Sequence, residues 1–139
     1  MQQEMLKESK LLEIFPEPSV NPDEMSTDSL AYIGDAIFNL YAKLHILTDT
    51  KVTELHKMAN KYVSREGQSK ILKTILPLLN EKEQGIVRRG INSKGAKKHG
   101  NDLRYKESTG FEALVGYLYL VDKARLSYLL KEGLKWDEV

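Results

Sequence analysis

Residues 30–41, LAYIGDAIFNLY, are an almost wholly apolar run interrupted by Gly34 and Asp35. A carboxylate among such neighbours carries a desolvation penalty, which it escapes by pairing, by protonation or by binding a metal. Leu30, Ile33, Ile37, Leu40, Tyr41, Leu44 and Leu47 recur at helical spacing behind the capping candidates Ser26, Thr27 and Asp28. This predicts a helix over 28–47 with those residues as its core-facing stripe. Asp35 falls on another side with Ala31, Phe38 and Ala42, which is also largely apolar, and a helix apolar on two sides belongs at the centre of a domain or at an oligomer interface. Two readings of Asp35 stay open: a structural group that accepts hydrogen bonds or pairs with Lys or Arg, and a catalytic one.

The remaining chain reads as helical too. Thr53 is placed to cap a helix through about Val63, and Ser64 a further one carrying Ile71, Leu72, Ile75 and Leu76 until Pro77. Asn80 and Glu83 match a capping box that opens a helix through about Arg89. Residues 90–102, GINSKGAKKHGND, hold three glycines and two asparagines and predict an exposed basic loop. Helical periodicity returns at Leu103 and runs through Val121, before a last helix with Leu126, Leu129 and Leu130. With no period-2 strand, the expectation is an all-α bundle of five to seven helices. Residues 1–25, with Pro16, Pro18 and Pro22, are expected to be a peripheral arm and extended linker, leaving 26–139 as one domain.

A chain of 139 residues with 41% hydrophobic content can bury one substantial core. It has no cysteine, which excludes disulfides, thiolate zinc sites and cysteine nucleophiles, and fits a reducing cytoplasmic setting. No apolar run reaches the roughly 20 residues that span a bilayer, so no membrane partner is expected. P-loop, dinucleotide-binding and zincin motifs do not occur, and His45, His56 and His99 are too scattered to suggest a ligand set.

Charge is distributed unevenly. Residues 1–30 carry seven acidic and two basic side chains, whereas Arg88, Arg89, Lys94, Lys97, Lys98, Arg104 and Lys106 face one acid, Asp102, over 88–106. Such a segment can bind phosphate through sequence-independent contacts, or it can be a solvated surface. Its lack of interleaved aromatics favours a duplex backbone over a single-strand stacking platform. Glu112, in STGFEALVGYLYL, is a second acid leading into an apolar helix. With Thr109 it fits a capping box, unless the helix starts near Leu103 and makes Glu112 internal.

Three separated segments, LAYIGDA at 30–36, YVSREGQSKIL at 62–72 and STGFEALVGYLYL at 108–120, together resemble the ribonuclease III catalytic domain. The resemblance is closest to the Mini-III ribonucleases, which lack a double-stranded-RNA-binding domain, and it covers about Asp28 to Leu130. It implies an all-helical homodimer that cuts both strands of double-stranded RNA with Mg²⁺, or with Mn²⁺ in its place. The products would carry 5′-phosphate and 3′-hydroxyl ends, and the substrate would be the 23S ribosomal RNA precursor, with room for a large-subunit ribosomal protein as partner. Asp35 falls on the aspartate of the signature G-D step and Glu112 on the glutamate of the D-x-x-E motif, which makes both catalytic and metal-binding by resemblance. Ala31 and Thr109 stand where ribonuclease III has its other two acids, E of E-F-L-G-D and D of D-x-x-E, and this reduction matches the Mini-III branch. The competing readings are a ribosome-assembly protein that binds structured RNA through residues 88–106 without cutting it, and an all-α protein-interaction module.

Overall fold

A computed structural model of the protein describes residues 14–98, 100 and 102–138. Residues 1–13 of the expected arm, and His99, lie outside the described residues. Among the described residues the fold is all-α, with no strand. Its helices are α1 Thr27–Ile46, α2 Val52–Val63, α3 Arg65–Ile75, α4 Glu81–Ile91, α5 Lys94–Lys97, α6 Leu103–Val121 and α7 Lys123–Gly133.

Local chemistry sets the helix boundaries. The Ser26 hydroxyl accepts from Ser29 N at 3.1 Å and starts α1, and the Ser64 hydroxyl accepts from Gly67 N at 3.0 Å and starts α3. At Asn80 and Glu83 both halves of the capping box form, each at 2.9 Å. Glu83 is then locked by Arg125 of α7 at 2.8 Å, whose guanidinium holds the buried carboxyl below the usual carboxylate range. Asp102 caps α6 by accepting from Arg104 N and Tyr105 N. Glu112 is therefore internal to that helix, and the capping-box reading with Thr109 does not hold. The expected cap at Thr53 is also corrected: α2 begins at Val52 after Lys51, which makes no side-chain cap, and exposed first-turn amides can be satisfied by water.

α6 is the axis of the domain and packs against α1, α3, α4, α5 and α7. Within residues 107–116 every side chain or backbone glycine is buried except Glu112, which is partly exposed. Phe38 of α1 and Phe111 of α6, both fully buried, meet edge to face at 4.9 Å.

The core face of α1 is not the expected stripe. Leu30, Ala31, Gly34, Phe38, Ala42 and Ile46 are buried, whereas Leu44 and Leu47 are 62% and 61% exposed and Leu40 is also on the surface. The reason is steric. α1 and α6 cross so closely that a Cβ on Gly34 would overlap the Glu112 carbonyl, and a Cβ on Gly116 would overlap the Leu30 carbonyl. Small residues at the crossing permit that approach, and Leu40, Leu44 and Leu47 are left facing outward.

Two further expectations change. Residues 90–102 are not simply an exposed loop: α4 runs through Ile91, the Ser93 hydroxyl caps the helical turn Lys94–Lys97, and Ala96 is buried. Gly95 N also donates to Asp28 of α1 at 3.4 Å, which pins this turn to the start of α1. Residues 14–25 are extended up to a 3-10 turn at Pro22–Glu24, but they dock on the domain. Phe15, Pro16, Pro18 and Val20 line an apolar groove with Ile37 and Leu120, while Asp23 accepts from Tyr117 Oη and Lys82 Nζ, each at 2.9 Å.

Gly116→Ala is expected to destabilise the fold by about 3 kcal/mol or more, since backbone must move to admit the methyl group. Gly85→Ala, in α4 with open space around its Cα, should instead stabilise by about 0.5–1 kcal/mol. Urea denaturation of the two variants against the parent measures both.

Candidate active site

The α1–α6 crossing determines where two carboxylates lie. Asp35 follows Gly34 directly, and Gly34 packs on the backbone of Glu112, so the two side chains leave neighbouring backbones toward the same opening. Both side chains line one cleft, and Asp35 is near enough to raise the Glu112 carboxyl. Asn39, one turn after Asp35, donates its Nδ2 to Asp35 Oδ1 at 2.9 Å and to the Asp35 carbonyl at 2.7 Å. On the other side, Gln68 of α3 donates Nε2 to Glu112 Oε2 at 3.5 Å. Burial first, and the adjacent Asp35 second, push the Glu112 carboxyl up to about 8, while the Gln68 hydrogen bond opposes this.

Both carboxylates line a cleft of about 630 Å³. Lys94 and Lys98 also line it, as does Arg65 at the start of α3. The other expected phosphate-binding residues are not gathered there. Arg88 and Arg89 lie on α4 beside separate surface depressions, Lys97 is exposed, Arg104 sits 3.9 Å from Asp102, and Lys106 is partly buried on α6. Arg65 is the cation that sequence reading missed. Its guanidinium lies over the Tyr105 ring at 4.5 Å, and its Nη1 is 3.4 Å from Asp102 Oδ2. The available signal was its place immediately after the Ser64 cap, in the segment YVSREGQSKIL.

The donor set suits a hard divalent cation. It comprises the carboxyls of Asp35 and Glu112, which line one cleft, while the Gln68 amide contacts Glu112 through Nε2 and leaves its buried Oε1 with no hydrogen-bond partner among the described residues. Mg²⁺ retains several waters and takes one or two protein carboxylates, so a pair is sufficient. Among the described residues no cluster of three or more His, Asp or Glu side chains offers a richer cage. His45 and His56 are exposed and outside the cleft, as expected.

Residues 28–123 match the model of the ribonuclease III domain family. The chain belongs to the ribonuclease III family. Within it, the chain is 43% identical over 123 residues to the Mini-ribonuclease 3 of Kosmotoga olearia, an alignment that covers 86% of this chain and 85% of that protein. It is 44% identical to the Mini-ribonuclease 3 of Symbiobacterium thermophilum, covering 85% of this chain and 95% of the relative. A crystal structure of a Fusobacterium nucleatum protein superposes with a TM-score of 0.72 at 28% identity, over 82% of this chain and 95% of that one. The protein is thus an endoribonuclease of the Mini-III type, from a family that acts on double-stranded RNA and generally uses a divalent metal.

The two positions that the motif resemblance sets against further acids, Ala31 and Thr109, carry no charge. Ala31 is buried at the crossing, and the buried Thr109 turns its hydroxyl onto the Tyr105 carbonyl at 3.1 Å.

The raised Glu112 carboxyl carries a stability consequence without metal. Because the folded value of about 8 lies above the ordinary 4.5, the folded state holds the proton more tightly than the unfolded one. That contribution is complete below pH 4.5 and is lost as pH rises toward 8. In chelator, the melting temperature of the parent should fall over this window more steeply than that of Glu112→Gln. Parallel pH profiles would contradict the assignment.

Proposed function

We propose that the protein is a homodimeric, Mg²⁺-dependent endoribonuclease that cleaves both strands of double-stranded RNA, with the 23S ribosomal RNA precursor as its substrate. Mn²⁺ can substitute, and a large-subunit ribosomal protein would act as the partner that shapes the RNA. The reading rests on one observation: the carboxyls of Asp35 and Glu112 converge in a cleft that Lys94, Lys98 and Arg65 also line.

The division of labour follows from the geometry. Asp35 and Glu112 would hold the cation, with Asn39 contacting the first and Gln68 the second. The bound cation supplies Lewis-acid stabilisation of charge at the scissile phosphate and a lowered pKa for water. Lys94, Lys98 and Arg65 neutralise flanking phosphates and fix the strand relative to the carboxylates. In-line attack by water then leaves 5′-phosphate and 3′-hydroxyl ends.

The homodimer is supported by the outward aliphatics of α1. Leu40, Leu44 and Leu47, with Tyr32 at 78% exposure, form a surface that a second copy could cover. A closed two-fold pair would present one site to each RNA strand.

Asp35→Asn and Glu112→Gln should each lower cleavage of long double-stranded RNA by more than about 100-fold, because even loss of groups outside a metal's own ligands costs about 10–100-fold. Binding of the same RNA in chelator should persist. Turnover near the parent rate in either variant would refute the assignment. Replacing both Lys94 and Lys98 by alanine should weaken RNA binding and flatten the log–log salt dependence by about 2, for two lost phosphate contacts. An unchanged slope would return these lysines to the solvated surface. Light scattering should find a mass of two chains, and Leu40→Lys with Leu44→Lys should reduce it to one.

A further inference from the structure

Gln68 is an unusual residue for its surroundings. It lies on α3 between Gly67 and Ser69 in a stretch that is entirely buried, and it is itself only 3% exposed. An apolar side chain of similar length would suit that burial without any polar group to satisfy. Instead Nε2 donates at 3.1 Å to the Val63 carbonyl, at the end of α2, and at 3.5 Å to Glu112 Oε2. The Val63 carbonyl determines the direction of the amide: it can only accept, so the nitrogen must face it and a flipped amide would set oxygen against oxygen. The cost appears on the other atom. Oε1 is buried and has no hydrogen-bond partner among the described residues.

Glu112 stands in the complementary position. Its neighbours on α6 from 107 to 116 are buried, and its side chain lines the same cleft as Asp35. Gln68 is the side chain that the structure places on it as a neutral donor from α3, a helix anchored by the Ser64 cap and by buried Ile71, Leu72 and Ile75. The amide can hold a charged carboxylate without neutralising it, whereas a lysine at the same place would compete with a cation for the same oxygens.

We propose that Gln68 is a positioning residue of the active site, holding the Glu112 carboxylate toward Asp35 for the divalent cation. This rests on the two-carboxylate reading above and extends it to the residue that orients one of the pair. Gln68 makes no contact with the reacting phosphate in this assignment; it acts through Glu112.

The test is Mn²⁺ binding by full-length protein without RNA, followed by electron paramagnetic resonance at fixed pH for the parent, Asp35→Asn, Gln68→Met and Gln68→Leu. The parent should bind Mn²⁺ and Asp35→Asn should not. The two Gln68 variants should bind about 10–100-fold more weakly, the range for loss of a group that orients a metal ligand. Their circular dichroism, and their affinity for double-stranded RNA in chelator, should match the parent. Cleavage under single-turnover conditions should need correspondingly more Mn²⁺ for half-maximal rate and recover when Mn²⁺ saturates. Two apolar replacements are used so that poor folding of one leaves the other to decide. Parent-like Mn²⁺ affinity in a folded Gln68 variant overturns this inference alone, whereas failure of the parent to bind Mn²⁺ overturns the two-carboxylate reading and this inference with it.

Discussion

The close crossing of α1 and α6 is the constraint from which the rest of the structure follows. Gly34 rests on the Glu112 backbone and Gly116 rests on that of Leu30, so neither position has room for a methyl group. This approach has three consequences. It places Asp35 beside Glu112, it makes α6 the buried axis of the domain, and it sets small residues, Ala31, Gly34 and Ala42, among the larger Leu30, Phe38 and Ile46 on the inward face of α1. Leu40, Leu44 and Leu47 are then directed outward, where they offer a surface to a second copy. Fold, site and proposed assembly are thus tied to one pair of glycines.

The site created by that crossing is electrostatically unsettled without a cation. Asp35 and Glu112 share one opening, Glu112 is raised to about 8, and among the described residues the hydrogen bonds to their carboxyl oxygens come from the neutral donors Asn39 and Gln68. Elsewhere the same chain settles a buried carboxyl completely: Glu83 has Arg125 at 2.8 Å and the backbone of its own cap. Glu83 is thus a carboxylate settled within the fold, whereas Glu112 is one that the proposed cation would settle. Cations do surround the cleft, as Lys94, Lys98 and Arg65, where they can meet phosphate.

Much of this was legible from residues alone. The Gly34-Asp35 step, the Asn80–Glu83 capping box and the restart of periodicity at Leu103 each depend on local chemistry, and local chemistry is visible in sequence. The restart mattered most, because it made Glu112 internal to a helix. The inward face of α1 was read wrongly, because periodicity counts hydrophobic bulk and the interface selected for smallness. The helical turn at Lys94–Lys97 depends on Asp28, 67 positions away, and no local pattern encodes that contact. Arg65 and Gln68 were quoted within a matching segment without being assigned roles. Their meaning comes from the packing of α3 against α6, which brings them to a cleft that α1, α6 and the Lys94–Lys97 turn also line.

In the proposed mechanism Asp35 and Glu112 act as one unit. A double-mutant cycle on single-turnover cleavage of double-stranded RNA, with Asp35→Asn, Glu112→Gln and the pair combined, tests it most directly. If the two carboxylates hold one cation, the combined variant will be no slower than the slower single variant. Losses that multiply would show two independent contributions and contradict the joint site.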